Sequence, residues 1–474
     1  MSDLSVHLAV VGAGPGGYAA AFMGADLGLT VALVDEEVNP GGVCLYRGCI
    51  PSKALLHVAR LIGESKHAAA WGVEFGPPKV DLDRLRGFKA SVVAKLTGGL
   101  GQLSKQRKVD YVRGRAEILD PHTLTVKSAD GERRVRFEHA ILATGSSPAR
   151  LPGLPESPRV LDSTGALELA DVPPRLLVIG GGYIGLELGT VYAALGSRVS
   201  VVEMMPGLLP GADRDLVNVL ARRVESIFEA VWLDTRVAAI QEHDGGLHVS
   251  LEGSAGTPGQ QVFDRVLVSV GRKPNSTIPG LERTGVRKDE RGFLEVDAQR
   301  RTSEPTIFAI GDVAGEPMLA HKASHEGRLA AEAIAGHKVA YEPRAVPAVV
   351  FTDPELAWCG LTETQAKVEG TAVEIARFPW AASGRALTLD RTDGLTKLLI
   401  DPGTGRVLGM GVVGVGAGEL IAEGVLAVEM GALASDVGLS IHPHPTLSET
   451  VMEAADAFQG HATHIYRPKR KGRP

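Results

Sequence analysis

The chain has 474 residues, enough for about three domains, and its 44% apolar and 22% charged residues are an ordinary globular balance. A formal net charge of −6 supplies no electrostatic reason to bind nucleic acid or an anionic membrane, so neither is expected. Three cysteines are too few for a disulfide-stapled secreted scaffold; two of them, Cys44 and Cys49, lie five positions apart, a closeness that in a reducing compartment more often serves catalysis or metal binding than structure.

Residues 7–11 form an apolar run that predicts a strand, residues 12–17 a glycine-rich turn, residues 18–27 a helix and residues 30–34 a second strand ending at Asp35. The uncharged stretch 8–25 is 18 residues long, but Gly12, Gly14, Pro15, Gly16 and Gly17 interrupt it and no Lys or Arg precedes it. It therefore reads as neither a membrane helix nor a signal peptide, and a cytoplasmic chain is expected. In Gly12-x-Gly14-x-x-Gly17 the glycines permit a tight turn, close approach of backbone to a pyrophosphate, and helix–strand packing. The helix that follows offers its N–H groups and dipole to the phosphates, and Asp35 stands where a carboxylate would accept hydrogen bonds from a ribose diol.

Next comes the segment 41–53, which contains Cys44, Gly48, Cys49, Pro51 and Lys53. On a regular helix, Cα atoms five residues apart are about 8.7 Å from one another, whereas a disulfide needs less than about 7 Å. If the two cysteines bridge, the helix must break between them, and Gly48 and Pro51 are the residues that would let it. Such a bridge would be readily reduced. Half a zinc site and a pair of inert core thiols are the other readings. Zinc would need a second Cys or His pair, and Cys359 is distant and in an apolar context, so the redox pair ranks first and no metal is expected.

Proline-rich breaks at residues 148–158 and 173–174 suggest a linker. Beyond it the opening design repeats: a strand at 175–179, a turn at 180–185, a helix at 186–195 and a strand at 198–202 ending at Glu203. In both units the acid falls 23 positions after the first glycine, which implies two dinucleotide-binding units. Gly180, Gly182 and Gly185 repeat the glycine pattern, and Glu203 favours NAD, because a carboxylate repels a 2′-phosphate and residues 204–210 contain no Arg. Residues 273–342 return to the first unit's pattern, and the last 130 or so read as a separate α+β domain with a helix at 419–430. Near its end, His444 and Glu449 have the spacing of a base and its orienting carboxylate, although a surface loop bearing His442 and His444 explains the segment equally well.

Taken together, the two fingerprints, the segment 41–53, the stretches 143–146, 307–312 and 318–321, and His442-x-His444-Pro-Thr-x-x-Glu449 resemble the pyridine nucleotide–disulfide oxidoreductases from end to end. The last motif and the cysteine motif are similar to those of bacterial members that oxidise dihydrolipoamide. The resemblance implies an α/β fold of two Rossmann-like dinucleotide-binding domains and a C-terminal α+β dimerisation domain. Its bounds would be 1–148 for FAD, 149–273 for NAD, 274–344 for a central segment completing the FAD site, and 345–474 for the interface domain. It implies FAD on Gly12, Gly14, Gly17, Asp35, Lys53, Gly114, Ser146, Asp312 and Ala320, and NAD on Gly180, Gly182, Gly185, Glu187, Glu203, Val237 and Gly271, with Glu187 also the ion partner of Lys53. Cys49 would face the flavin, Cys44 would exchange with substrate, and His444 would act as base from the other subunit of a homodimer, with Glu449 behind it. The partners implied are lipoyl-bearing acyltransferase components of 2-oxoacid dehydrogenase complexes or a glycine-cleavage carrier protein. Glutathione- and mercury-type reductases fit less well: the first carry NADP-binding arginines and the second a C-terminal cysteine pair. Asp35 departs from the Glu frequent in such enzymes, Cys359 is extra, and the sequon at residues 275–277 would go unused in the cytoplasm. His461, His464 and the basic run 469–473 read as solvated tail residues.

Overall fold

The computed structural model describes residues 3–129, 131–254 and 256–466; the basic run 469–473 lies outside them. The first unit comprises β1 (Leu4–Val11), α1 (Pro15–Asp26), β2 (Val31–Asp35), α2 (Gly42–Arg47), α3 (Cys49–His67), α4 (Leu82–Gln106), β3 (Asp110–Arg113), β4 (Arg115–Asp120), β5 (Thr123–Ser128) and β6 (Gly131–Leu142). Its sheet runs β3-β2-β1-β6-β5-β4. Strand β6 does double duty: its first half pairs antiparallel with β5, and its second half parallel with β1. The uncharged stretch 8–25 is split between a buried central strand and α1, with the glycine turn between them. Helix α1 begins at Pro15, three residues before the expected start, because a proline suits the first helical turn, where its missing N–H goes unmissed.

A short ribbon, β7 (Ser146–Pro148), leads through β8 (Val160–Leu161) and α5 (Ser163–Glu168) into the second unit. There β9 (Arg175–Ile179), α6 (Tyr183–Leu195), β10 (Arg198–Val202), α7 (Arg214–Ile227) and β11 (Ala230–Trp232) precede the antiparallel β12 (Thr235–His243), β13 (Gly246–Gly253) and β14 (Gln260–Phe263). Strand β15 (Arg265–Val268) returns to the parallel sheet, whose order is β11-β10-β9-β15-β8. The chain then recrosses through β16 (Arg272–Pro274), which pairs with β7. Strand β17 (Ile307–Ala309) joins the first sheet beside β6, and α8 (Ala320–Ile334) packs on α1 so closely that a Cβ at Gly327 would lie 2.3 Å from the Gly16 carbonyl oxygen.

The remaining residues fold as β18 (Ala348–Val350), β19 (Glu355–Gly360), α9 (Glu363–Glu369), β20 (Glu374–Pro379), α10 (Gly384–Thr388), β21 (Leu395–Ile400), β22 (Val407–Gly414), α11 (Ala417–Met430), α12 (Ala434–Leu439) and α13 (Glu449–Gln459). Their five-stranded sheet is antiparallel throughout, in the order β18-β19-β22-β21-β20. Cys359 is buried inside it, where desolvation pushes its thiol up to about 12, so it behaves as a small core residue. Among the described residues no helix is long and apolar enough to cross a membrane.

A buried ion cluster joins this last unit to the second. Asp213 and Asp215 at the start of α7 and Glu363 of α9 converge on the ammonium group of Lys397, at 2.7, 2.7 and 2.8 Å. Those carboxylates have the arrangement of a cation site, and the cation is a lysine. Lys397→Met would leave the buried Asp213 without its cation, while Arg377 still pairs with Asp215 and Glu363, and should cost about 3–5 kcal/mol, the scale of a broken buried pair. A fall in the denaturant midpoint would register it; an unchanged midpoint would refute it.

Candidate active site

Helices α2 and α3 are separated by Gly48, whose φ of −144° and ψ of −116° lie outside the helical region. A Cβ there would sit 2.9 Å from the Val43 carbonyl oxygen. The break places Cys44 in α2 and Cys49 at the first turn of α3, so that the two side chains meet. Both are free thiols. Cys44 donates a hydrogen bond to Cys49, and this bond, with the charge of Lys53, outweighs burial and the repulsion of Glu187 and brings Cys49 down to about 7. Donating that bond, burial and the charge of Cys49 push Cys44 well up. Of the two, Cys49 is the more acidic thiol, because it accepts from Cys44 and has the Lys53 charge beside it.

Lys53 lies one turn beyond Cys49 on α3. Its Nζ is 2.8 Å from Glu187 Oε2 and 4.5 Å from the centre of the Phe351 ring, while Glu187 Oε1 accepts the Phe351 N–H at 3.0 Å. Glu187 is only 3% exposed, so its charge depends on these partners.

The thiols, Lys53 and Glu187 open on a cavity of about 360 Å³. Gly12, Gly14, Asp35, Ser146, Asp312 and Ala320 line the same cavity. Gly12 has φ +98°, and a Cβ on it would come within 2.3 Å of the Ala143 carbonyl oxygen; one on Gly42 would come within 2.4 Å of the Gly14 Cα. Two of the candidates stand behind the wall. Gly17 packs helix on strand, with a Cβ position 1.8 Å from the Gly12 carbonyl oxygen, and Gly114, at φ +148°, donates its N–H to the Asp35 carbonyl at 2.8 Å. Ser146 donates to Asp312 Oδ2 at 2.5 Å and accepts from Arg272 Nε at 2.7 Å. Arg272 and Tyr183 also line the cavity and were not among the sequence candidates. The Gly271-Arg272 step at the end of an apolar strand was the available signal for the first; Tyr183 lies inside the turn at 180–185, which was read for its glycines alone.

The acids at the ends of β2 and β10 repeat one construction. Asp35 Oδ2 accepts the Ala13 N–H at 2.6 Å and Oδ1 the Glu37 N–H at 3.0 Å; Glu203 Oε2 accepts the Gly181 N–H at 2.7 Å and Oε1 the Met205 N–H at 2.8 Å. Each carboxylate thus pins its own glycine turn. Burial raises the Asp35 carboxyl against the opposing pull of the Ala13 and Glu36 N–H groups and of Arg47, which forms an ion pair with Glu37. In the second turn Gly180 has φ +105°, Gly185 packs against Gly180, and Gly182 caps α6 with open space beyond its Cα. Val237 packs on the core under β13, and Gly271, at φ +115°, accepts the Ala149 N–H.

His444 and Glu449 are together: Nδ1 is 2.9 Å from Oε1, and Oε2 accepts the Thr446 N–H at 2.8 Å. Partial burial works to raise the Glu449 carboxyl, but Thr446, His444 and the charge of His464 hold it below the usual range. His444 is 73% exposed and is not among the residues lining the cavity of its own chain. His442 has both ring nitrogens engaged, by the Ser440 carbonyl and Glu423 at 2.8 Å each. The expectation that His464 is merely solvated needs correction: its Nδ1 lies 2.6 Å from Glu453, a 2%-exposed carboxylate that requires a donor.

Comparison with known proteins agrees with this geometry. Residues 6–327 match the pyridine nucleotide-disulphide oxidoreductase family, and residues 346–455 its dimerisation domain. The dihydrolipoyl dehydrogenase of Haemophilus influenzae is 50% identical, covering 99% of this chain and 98% of that one. That of Geobacillus stearothermophilus is 47% identical over 96% of this chain and 97% of its own. Among solved structures, LpdA of Mycobacterium tuberculosis superposes with a TM-score of 0.88 at 28% identity, covering 96% of this chain and all of that one. The HOCl-induced flavoprotein disulfide reductase RclA of Escherichia coli gives 0.84 at 28% identity, with 96% and 99% covered.

Proposed function

Because the chain belongs to the pyridine nucleotide–disulphide oxidoreductases, we propose that it is the NAD-dependent enzyme that oxidises dihydrolipoamide to lipoamide. The observation that carries this reading is the thiol pair at the helix break, with Lys53 one turn beyond Cys49 and its site in the cavity of the first glycine turn. Residues 1–148 and 274–344 form the FAD domain, 149–273 the NAD domain and 345–474 the interface domain. In support, β17 completes the first sheet and the last unit has its own antiparallel sheet. The dimerisation domain makes the enzyme a homodimer. It works in the cytoplasm, and its partners are lipoyl-bearing acyltransferases or a glycine-cleavage carrier protein.

The residues present fit FAD. The cradle beside Gly14 is one that a Cβ on Gly12 or Gly42 would disturb, the start of α1 offers N–H groups to a pyrophosphate, and Asp35 and Asp312 offer carboxylates to hydroxyls. When bound there, FAD supplies two-electron transfer between the thiol pair and NAD+. The chain's own residues do the rest. His444 of one subunit takes the proton from a substrate thiol, and Glu449 fixes the ring and stabilises the cation that forms. The substrate thiolate attacks Cys44 of the disulfide form, giving a mixed disulfide; the Cys44–Cys49 bond breaks, and Cys49 leaves as the thiolate that the charge of Lys53 favours. The second substrate thiol then displaces Cys44, releasing lipoamide and leaving the enzyme dithiol. Lys53 holds its charge beside Cys49 because Glu187 holds Lys53.

Steady-state assays with free dihydrolipoamide, dihydrolipoyl-protein domains and oxidised glutathione test the proposal. Turnover of the first two with NAD+ is expected, and turnover of glutathione alone would overturn it. Glu203 should also exclude NADP: a 2′-phosphate would meet a carboxylate anchored on two N–H groups. The discrimination should be on the order of a few kcal/mol, the scale of opposed like charges, and equal kcat/KM for the two nucleotides would contradict it.

A further inference from the structure

Behind the cavity lies a buried charge cluster that the chemistry above does not use. Glu326 of α8 has no exposed surface, and its Oε2 accepts the Gly311 N–H at 2.6 Å. Its Oε1 lies 3.1 Å from Lys322 Nζ and 3.3 Å from an Arg300 amine; the lysine side chain is 4% exposed and the arginine side chain 13%. Lys322 Nζ also donates to the Gly315 carbonyl at 3.1 Å. Arg300, at the unusual φ of +66°, is held from its other side by the Tyr341 ring, 4.1 Å away. One end of the segment 311–315 is therefore tied to Glu326 and the other to Lys322, one helical turn apart on α8. Asp312 stands between those ties, in the short turn Gly311–Val313, with Ser146 on its carboxylate. The same helix presents Ala320, at its first turn, to the cavity.

A buried ion cluster is weak evidence for stability, because desolvation offsets much of its attraction; in some proteins such groups instead select one geometry. We propose that Glu326, Lys322 and Arg300 are a positioning clamp for the cofactor, holding the Gly311–Val313 turn so that Asp312 meets FAD in register with the start of α8. The proposal rests on the assignment of this cavity to FAD. The clamp acts on binding, since none of its charged groups lines the cavity.

The test is the dissociation constant of FAD for apoprotein, read from the quenching of flavin fluorescence, with far-UV circular dichroism to establish that each variant is folded. Lys322→Met should weaken FAD at least tenfold and Lys322→Arg should restore most of the loss. Lys397→Met, which disturbs a buried cluster elsewhere, should lose stability and keep its FAD affinity, which separates a positioning role from a general loss of structure. Glu326→Gln keeps an acceptor for Gly311 and removes the charge; it should weaken FAD at least threefold, and it decides the matter if Lys322→Met does not fold. FAD constants within twofold of the parent in folded variants would overturn the clamp. A parent protein that binds no FAD would instead overturn the functional reading on which the clamp rests.

Discussion

Cys44→Ser and Cys49→Ser are each expected to lower dihydrolipoamide-dependent NAD+ reduction by at least about a thousandfold, the scale on which loss of an activated nucleophile is felt. Either change removes the disulfide. The two variants should nonetheless differ, because the environments of the sulfurs differ. In Cys44→Ser the serine hydroxyl can still donate to Cys49, and Lys53 remains beside it. Cys49 should therefore be a thiolate above about pH 7. It should alkylate readily there and, next to bound flavin, show absorbance at longer wavelength than the flavin alone. In Cys49→Ser the remaining Cys44 is still raised by burial. It should stay a thiol at neutral pH, react slowly and show no such band. The sign follows from the folded-state shifts: thiolate appears as pH rises through a lowered value in one variant, and through a value raised by burial in the other. Equal alkylation rates for the two at pH 7.5 would contradict the assignment of the thiolate to Cys49.

His444→Gln should lower the same turnover by about 10²–10⁴-fold, the usual contribution of a general base. NADH-driven reduction of an artificial acceptor needs no thiol deprotonation and should fall much less. Glu449→Gln should have an intermediate effect, since the imidazole stays but loses the carboxylate 2.9 Å from Nδ1. His442→Gln should be mild, because its ring is spent on Ser440 and Glu423. His444 stands outside the lining of its own chain's cavity, and the proposed reaction takes it from the partner of the homodimer. Mixing inactive Cys44→Ser and His444→Gln subunits should then restore activity in heterodimers, where one site receives both unaltered residues. Heterodimers that form and stay inactive would show that the shared site does not exist.

Much of the fold was legible because it is written locally. The strands Arg175–Ile179 and Arg198–Val202 lie where the apolar runs place them, and the acid 23 positions after the first glycine marks both dinucleotide units. A helix break was expected if Cys44 and Cys49 bridge, with Gly48 and Pro51 to permit it; the break falls at Gly48, and Pro51 lies within the first turn of α3. What was not legible depends on contacts between distant segments. Arg272 reaches Ser146 because β16 pairs with β7, across more than a hundred residues. Lys397 meets Asp213, Asp215 and Glu363 only when the last unit docks on α7. His464 looked like a tail residue because its partner, Glu453, is buried by the packing of α13 and not by any local pattern. The pairing of Lys53 with Glu187 came from resemblance alone, since nothing near either residue in the chain announces the other.

The central claim, that electrons pass from dihydrolipoamide through the Cys44–Cys49 pair to NAD+, is tested most directly by counting thiols. The chain has three cysteines, and Cys359 is buried and inert, so the oxidised enzyme, denatured in an alkylating reagent without reductant, should show one free thiol per subunit. After anaerobic dihydrolipoamide it should show all three, and after excess NAD+ with removal of NADH it should return to one. Three thiols in every state, or a count that dihydrolipoamide does not change, would contradict the account.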